Sequence, residues 1–238
     1  MPALLTLALL LGTPASCPPP DPVCLGTLWD REEDWCPGHG QVYRPREGDL
    51  VFFSSFSCFY SVVFTAAGSG HPWHVGIVAR DSCGTLCVLE AGGHLYDVSL
   101  LPVEQRLRDY LAKRSRRRIW VRRVKAPLTP EQSRCLTEFA EAQDGKRFAA
   151  CLRVAMLGVP GRPLRPTDPD QGRWFCAELV SEALRLCGLC PACWMVPEKT
   201  TPRDLFFDRR DISCGWHPPQ TWSPDCDPPP PGPLCAPR

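Results

Sequence analysis

Residues 172–193 read GRWFCAELVSEALRLCGLCPAC and hold four of the fifteen cysteines in this 238-residue chain. The apolar residues from Cys176 onward recur with helical spacing, and Gly188 is a typical residue at a helix end. We therefore predict a helix that begins near Cys176. The face expected to be buried comprises Cys176, Leu179, Val180, Ala183, Leu184 and Cys187. The face expected to be exposed comprises Glu178, Ser181, Glu182 and Arg185.

Cys176 falls in the first turn of this predicted helix. Unpaired backbone N–H groups and the helix dipole favour an anion there. This environment is typical of reactive thiolates. An inert core cysteine or a half-cystine is the alternative interpretation of the same position.

The other three cysteines of the stretch are Cys187, Cys190 and Cys193, which begin about 16 Å beyond Cys176 at 1.5 Å rise per residue. Zinc and iron–sulfur sites also use C-x-x-C spacing, but we find no second C-x-x-C at the usual distance. Fifteen cysteines are typical of an oxidising compartment. We therefore predict disulfides for these three residues, and neither a metal nor a cofactor.

Four segments upstream have the composition of β-strands: GDLVFFSS (48–55), HVGIVAR (74–80), TLCVLEA (85–91) and RRIWVRRV (117–124). A turn signal separates the second strand from the third and predicts a hairpin. The segment TPEQSRCLTEFAEAQ is a predicted helix, with Thr129 as its N-cap and Pro130 at its first position. Clustered strands flanked by helices indicate an α+β domain.

His74 opens the strand HVGIVAR and shares one strand face with Gly76 and Val78. We expect Gly76 to leave space beside the imidazole, as a substrate cleft needs. If Val78 lies opposite Leu86 in the hairpin, His74 lies opposite Glu90 and the two side chains can touch. A carboxylate at this place orients the imidazole of a nucleophile–base pair. The alternative is a histidine with a purely structural role.

Several of these motifs closely resemble the circularly permuted papain-like amidases, the YiiX-type branch of the NlpC-like cell-wall hydrolases. In chain order they are GDLVFFSS, HVGIV, the strand ending in LEA, WFCAELV and TTPRDLF. The resemblance covers about residues 48–206, and HVGIV and FCAELV are its most specific parts. It implies a permuted papain-like (NlpC-type) domain, in which a small antiparallel sheet packs against the cysteine-bearing helix. The permuted chain order is His74, Glu90, Cys176.

The resemblance implies Cys176 as the nucleophile, His74 as general base and acid, and Glu90 as the orienting residue. The Cys176 thiolate would attack a carbonyl, and His74 would protonate the leaving group. We therefore expect a cysteine hydrolase that cleaves an amide or peptide bond through a thioester acyl-enzyme. One alternative is an acyltransferase or lipid hydrolase similar to lecithin retinol acyltransferase. Another is a catalytically idle, disulfide-bonded binding domain on the same fold. The expected substrate is a peptide, a peptidoglycan-like molecule or a lipid acyl group.

The ends of the chain differ in composition from the middle. Residues 1–16 hold an apolar run followed by small residues, which is typical of a secretory signal peptide. Lipid attachment at Cys17 is a less favoured alternative. Residues 17–40 and 213–238 are rich in proline and cysteine, and we expect both to be irregular arms. The catalytic domain is expected over 41–212, in a protein that is secreted or extracytoplasmic.

The net charge of +1 argues against nucleic acid as a partner. The segment 113–125 nevertheless holds eight Lys or Arg in thirteen residues. One interpretation is peripheral contact with an anionic membrane surface. We favour a solvated helix end followed by an edge strand that its charges protect from pairing. The sequence makes no prediction of the oligomeric state.

Overall fold

The computed structural model describes residues 25–29, 40–54, 71–92, 97–113, 117–149, 172–190, 196–207 and 215–224. The predicted signal peptide and Cys17 lie outside the described residues, and so do Cys193 and residues 114–116 of the basic segment. The described ranges contain the strands and the helix that carry the three predicted site residues.

In the residues that the structure describes, the chain has an α+β fold built on an antiparallel sheet of eight strands. These strands are β1 (Thr27–Trp29), β2 (Gln41–Val42), β3 (Leu50–Phe53), β4 (His74–Arg80), β5 (Leu86–Ala91), β6 (Val98–Pro102), β7 (Ile119–Arg122) and β10 (Gln220–Ser223). Their spatial order is β2–β1–β10–β7–β3–β4–β5–β6. A separate parallel pair joins β8 (Arg147–Phe148) to β9 (Arg173–Trp174). The fold class agrees with the prediction, but the sheet is larger than the small sheet that we expected.

The helices are α1 (Val103–Ala112), α2 (Pro130–Gln143), α3 (Cys176–Leu186) and α4 (Pro202–Phe206), with a 3-10 turn at Pro197–Lys199. Helix α2 begins as predicted: Oγ1 of Thr129 accepts the N–H of Gln132 at 3.2 Å, and Pro130 is the first helical residue. Helix α3 also begins at the predicted residue. It is followed by Gly188 with a φ of +62°, a left-handed conformation that glycine adopts without steric cost.

The central strands of the sheet are buried on both faces. In β3, Leu50 and Phe52 belong to the core that includes α2, α3 and α4. Val51 and Phe53 point the opposite way and belong to the core that includes α1. Because both faces are covered, an uninterrupted apolar run is the sequence pattern that suits this strand.

Helix α3 differs from its prediction because its polar face is buried as well. Glu178, Ser181 and Glu182 are each at most 3% exposed. The 3-10 turn at Pro197–Lys199 and α4 pack against the helix and cover it. Oε2 of Glu178 accepts the backbone N–H of Phe175 at 3.3 Å, so this carboxylate is bound at the helix start. The expected exposed face of α3 is therefore buried at three of its four residues, and the side chain of Arg185 is 35% exposed.

Both proline- and cysteine-rich arms contribute a strand to the sheet, which corrects the expectation that they are irregular. Strand β1 lies between β2 and β10, and β10 lies between β1 and β7. Two buried tryptophans fix the C-terminal arm. Trp222 donates its indole N–H to the carbonyl of Leu25, and Trp216 donates to the carbonyl of Gly48 at 2.7 Å. The folded domain therefore extends beyond 41–212 at both ends.

Strand β7 comes from the basic segment 113–125 and is an interior strand between β10 and β3, so the expected edge strand is a wrong assignment. Arg122 on this strand is buried. Its Nε donates to the carbonyl of His217 at 3.0 Å, and its Nη1 donates to the carbonyl of Leu205 at 2.7 Å. At least this arginine has a structural role. In the part of the chain that the structure describes, no helix has the length and apolar character needed to cross a membrane.

Candidate functional site

The three predicted site residues meet where the start of β4 approaches the N-terminus of α3. His74 is the first residue of β4, and Cys176 is the first residue of α3. The side chain of Cys176 lies close enough to the imidazole of His74 to raise the pKa of that ring. Glu90 lies on β5, the strand next to β4. The site thus forms at a strand end, where a helix from one layer can reach side chains of the sheet.

The contact between His74 and Glu90 arises from a register that differs by two residues from the expected one. The expected pair of Val78 with Leu86 is not formed, and Gly76 instead of His74 lies opposite Glu90. A shift of two residues keeps every side chain on its own face of the sheet, whereas a shift of one would reverse the faces. His74 and Glu90 are therefore diagonal neighbours. Nε2 of His74 lies 2.8 Å from Oε2 of Glu90.

The hairpin turn explains this register. Oδ1 of Asp81 accepts the backbone N–H of Cys83 at 2.9 Å and that of Thr85 at 2.8 Å. An aspartate that binds amides further along its own turn holds that turn in a compact form. Arg80 and Leu86 form the last pair of the hairpin. The centre of the turn therefore lies one residue later than the expected register requires.

Gly76 has a different role from the open space that we expected beside His74. A Cβ atom at this position would lie 2.6 Å from Cγ1 of Val88 and 3.3 Å from Cβ of Glu90. The neighbouring strand β5 already fills the volume, so the prediction of a cleft here is wrong. The missing side chain instead gives Glu90 room to reach diagonally across β4 to the imidazole.

Arg106 on α1 is a second partner of Glu90, and we assigned it no role from the sequence. Its Nη2 donates to Oε2 of Glu90 at 3.0 Å, and its Nε donates to Oε1. Its guanidinium carbon lies 4.4 Å from the ring centroid of Phe53 and 5.3 Å from that of Tyr110. Both charged groups are buried. The site therefore includes a buried two-point ion pair whose guanidinium packs against two aromatic rings.

The sequence does contain a signal for Arg106. Val103, Leu107 and Tyr110 recur at helical spacing and form the buried face of α1 together with Arg106. An arginine within an apolar helix face is almost never fully buried unless an acid pairs with it. In the structure this acid is Glu90, at the end of the strand TLCVLE.

The pKa values of His74 and Glu90 shift in opposite directions. Burial by itself lowers the pKa of His74, but Cys176 and Glu90 outweigh this effect and raise the pKa to about 9. Burial by itself raises the pKa of Glu90, but its hydrogen bond with His74 and the charge of Arg106 lower it to about 2. Both shifts favour a protonated imidazole beside an ionised carboxylate.

Cys176 is 1% exposed and carries a free thiol. It follows Phe175, whose extended backbone makes it the N-cap of α3. The N–H of Cys176 is thus among the first amides of the helix, which have no carbonyl partner within it. The side chain of His74 is 16% exposed. The imidazole of His74 is therefore more exposed to solvent than the thiol of Cys176.

Cys187 lies at the opposite end of α3 from Cys176, as predicted. Its thiol is not bonded to another sulfur in this structure, and burial together with the nearby Cys135 on α2 raises its pKa. Cys190 is also buried. The disulfides predicted for Cys187, Cys190 and Cys193 stay predictions. Within the described ranges, no three His, Cys, Asp or Glu side chains are grouped so that they could hold a metal ion.

Comparison with known proteins gives a weak structural neighbour and no family. No protein-family model matches the chain. No curated protein matches it either. Among solved structures, the chain is similar to the metalloprotein YiiX from Escherichia coli O157:H7, with 21% sequence identity and a TM-score of 0.41. The match covers 60% of this chain and 66% of the YiiX chain, which is just under two thirds. The α+β assignment rests on the strands and helices described above.

Proposed function

We propose that this protein is a cysteine hydrolase that cleaves an amide or peptide bond through Cys176, His74 and Glu90. One observation carries the proposal: Nε2 of His74 lies 2.8 Å from the carboxylate of Glu90, and the side chain of Cys176 is close enough to raise the pKa of the same imidazole. Nucleophilic catalysis by cysteine needs a thiol, a base beside it and a third group that orients the base. The three side chains supply these groups.

The first step is formation of the nucleophile. Glu90 engages Nε2 of His74, which leaves Nδ1 as the ring nitrogen available for the thiol proton. The raised pKa of His74 supports proton transfer from Cys176 to the ring, which yields a thiolate–imidazolium pair. The dipole at the start of α3 also favours a negative sulfur.

The thiolate then attacks the substrate carbonyl carbon, and the π-electron pair moves to the carbonyl oxygen. Backbone N–H groups of the first turn of α3, including that of Cys176, can donate to this oxyanion. His74 protonates the leaving nitrogen as the C–N bond breaks, and a thioester remains on Cys176. The neutral imidazole next takes a proton from water, which attacks the thioester and releases the acid. The sulfur recovers its proton from the ring, and the cycle closes.

Arg106 acts on this reaction through Glu90 and is therefore a positioning residue. Its two N–H groups fix both oxygens of the carboxylate, and its charge helps to keep Glu90 ionised. An ionised, fixed Glu90 holds the ring of His74 in one orientation and stabilises the imidazolium. The rings of Phe53 and Tyr110 restrain the guanidinium in turn.

The chain order of the site residues supports a permuted papain-like domain as the fold of the proposed enzyme. His74 and Glu90 lie on adjacent strands and precede Cys176, which begins a later helix packed against those strands. We propose that the substrate is a peptide, a peptidoglycan-like molecule or a lipid acyl group. We also propose a secreted or extracytoplasmic location, which the cysteine content and the composition of residues 1–16 favour.

A binding domain without catalysis is the second candidate. It is favoured by the near-complete burial of Cys176, because a substrate carbonyl has to reach a sulfur that other atoms cover. The two candidates differ in one observable product. The enzyme forms a thioester on Cys176, whereas the binding domain forms none.

The test is to trap that thioester on the full chain. The protein is mixed with a peptide, a peptidoglycan fragment or an acyl lipid, quenched in acid and digested with trypsin. The peptide 174–185 contains Cys176 as its single cysteine. We expect it to carry an acyl mass that hydroxylamine removes, and that mass identifies the substrate class. The variant Cys87→Ala, which removes a buried thiol on β5, should retain the adduct.

Two results would count against this function. Cleavage of the substrate by Cys176→Ala at the wild-type rate would exclude Cys176 as the nucleophile. A Cys176 that reacts with alkylating reagents only after reduction would place it in a disulfide and support the binding domain.

A further inference from the structure

The far end of α3 brings two cysteines together. Cys187 directly follows the last residue of α3 and belongs to the core against which Cys135 on α2 packs. A hydrogen bond joins α2 to the chain at the same place: Nε2 of Gln132 donates to the carbonyl of Gly188 at 2.9 Å. The two cysteines therefore lie where a side chain of α2 already holds the backbone that follows α3.

The two thiols differ in how easily a reagent reaches them. Cys187 is buried in the core beneath α3, whereas Cys135 is half-buried and packs against the edge of that core. Burial first, and the neighbouring Cys135 and Glu138 in addition, raise the pKa of the Cys187 thiol. Cys135 is thus the thiol that an external oxidant reaches more easily, and Cys187 is the buried thiol that would react second.

We propose that Cys135 and Cys187 close to a disulfide bond that crosslinks α2 to the C-terminal end of α3. The packing of Cys135 against the core that holds Cys187, together with the hydrogen bond from Gln132 to Gly188, carries this inference. It does not depend on the role of Cys176, which keeps its free thiol at the other end of the same helix.

The chemistry is thiol–disulfide exchange with a low-molecular-weight disulfide such as oxidised glutathione. The Cys135 thiolate attacks one sulfur of the oxidant, and the S–S bond of the oxidant breaks. One half of the oxidant leaves as a thiol, and the other half stays bound to Cys135 as a mixed disulfide. The Cys187 thiolate then attacks the Cys135 sulfur, and the second thiol leaves. Two cysteine sulfurs are oxidised and one disulfide is reduced to two thiols. The two protons lost by the cysteines are taken up by the leaving thiolates.

The crosslink closes the chain between residues 135 and 187, which includes the whole of α3. Closing a long loop removes freedom from the unfolded chain and stabilises the folded state. For a chain of this size, we expect the melting temperature of the oxidised protein to lie about 10 °C above that of the reduced variant.

The experiment is peptide mapping of the full chain after equilibration with oxidised glutathione. The protein is denatured without reductant, alkylated and digested with trypsin. Cys135 lies alone in the peptide 135–146, and Cys187 lies in the peptide 186–199 with Cys190 and Cys193. We expect these two peptides to be joined, with fragmentation that assigns the link to Cys187. Reduction before alkylation should separate them.

Variants measure the physical effect. Cys135→Ser and Cys187→Ser should each lower the melting temperature by about 10 °C, and the double variant should lower it by no more than either single change. Cys87→Ser is the matched control, because it alters another buried thiol without breaking the pair. It should leave the joined peptides intact.

Two outcomes would overturn the proposal. One is that Cys135 and Cys187 both carry the alkyl label without reduction after glutathione treatment. The other is that Cys187 is joined to Cys190 or to another cysteine instead of Cys135. The state of Cys176 is read from its own peptide 174–185, so failure of the crosslink and failure of the proposed catalysis are separate results.

Discussion

The two ends of α3 hold cysteines in opposite surroundings. At the first turn, Cys176 is next to an imidazole, and a carboxylate and a guanidinium lie behind that ring. Directly after the last residue of α3, Cys187 lies in an apolar core against which a second cysteine, Cys135, packs. Both residues are buried at an end of the same helix, so burial and helix propensity do not distinguish them.

The difference shows that the neighbours of a cysteine, rather than its exposure, decide which chemistry it can support. A charge-bearing ring beside a thiol favours proton transfer and nucleophilic attack. A second thiol beside a thiol favours crosslinking. Substitutions that remove one residue of this contrast show how strongly activity and folding depend on it.

The largest expected effect is on activity, from matched substitutions at the two ends. Cys176→Ser should lower the rate of substrate cleavage by more than roughly a thousandfold, because residues that act as one catalytic unit fail together. Cys187→Ser should keep the cleavage rate at 25 °C. Steady-state assays on both variants measure the contrast, and equal losses in the two would refute it.

The next effect concerns the buried charges behind the imidazole. Glu90→Gln leaves Arg106 buried without its counter-charge, and removing one partner of such a pair costs about 3–5 kcal/mol. Urea denaturation should show a loss of unfolding free energy of this size. Adding Arg106→Met should restore part of the stability without restoring activity. A double variant that is as unstable as the two single losses added together would mean that the pair is not coupled.

A smaller loss is expected from Gly76→Ala. The new Cβ would lie 2.6 Å from Cγ1 of Val88 and 3.0 Å from the carbonyl oxygen of Leu89, so β4 and β5 must separate. Overpacking of this kind costs about 1–3 kcal/mol, and the shift should also weaken the contact of His74 with Glu90. Gly172→Ala is the control, because its Cβ meets no atom within 4 Å. Similar unfolding free energies for the two variants would contradict the close-packing role of Gly76.

The smallest effect is the pH dependence of stability. The folded pKa of His74, about 9, lies above its usual 6.5, so its contribution is complete below pH 6.5 and is lost as pH rises through 9. The folded pKa of Glu90, about 2, lies below its usual 4.5, so its contribution is complete above pH 4.5 and is lost as pH falls through 2. The unfolding free energies of wild type and His74→Asn should differ most between pH 4.5 and 6.5. A difference between the two proteins that grows as the pH rises towards 9.5 would mean that folding lowers the pKa of His74 instead of raising it.

Local patterns in the sequence predicted much of the fold. The strands β3, β4, β5 and β7 are marked by apolar and β-branched runs, and α2 is marked by its cap at Thr129. The contact between His74 and Glu90 was predicted in spite of an incorrect register. The error was two residues, and side chains in a strand alternate with a period of two.

The features that the sequence did not predict depend on tertiary partners. Most of the polar face of α3 is buried in the folded protein, and the turn at Pro197–Lys199 and α4, which pack against this helix, come later in the chain and leave no trace in its sequence pattern. Strand β1 has three residues and no alternation long enough to detect. Arg106 was missed because its acid partner lies sixteen residues earlier, on a strand.

In the proposed mechanism His74 activates Cys176, and the rate at which iodoacetamide alkylates Cys176 reports this activation. The rate is followed on the peptide 174–185 at pH 6 in the wild-type chain and in His74→Ala. We predict rapid labelling of the wild type and a rate lower by roughly a hundredfold in the variant, because an unassisted thiol is almost wholly protonated at that pH. Equal rates in the two proteins, or labelling that requires prior reduction, would contradict the account.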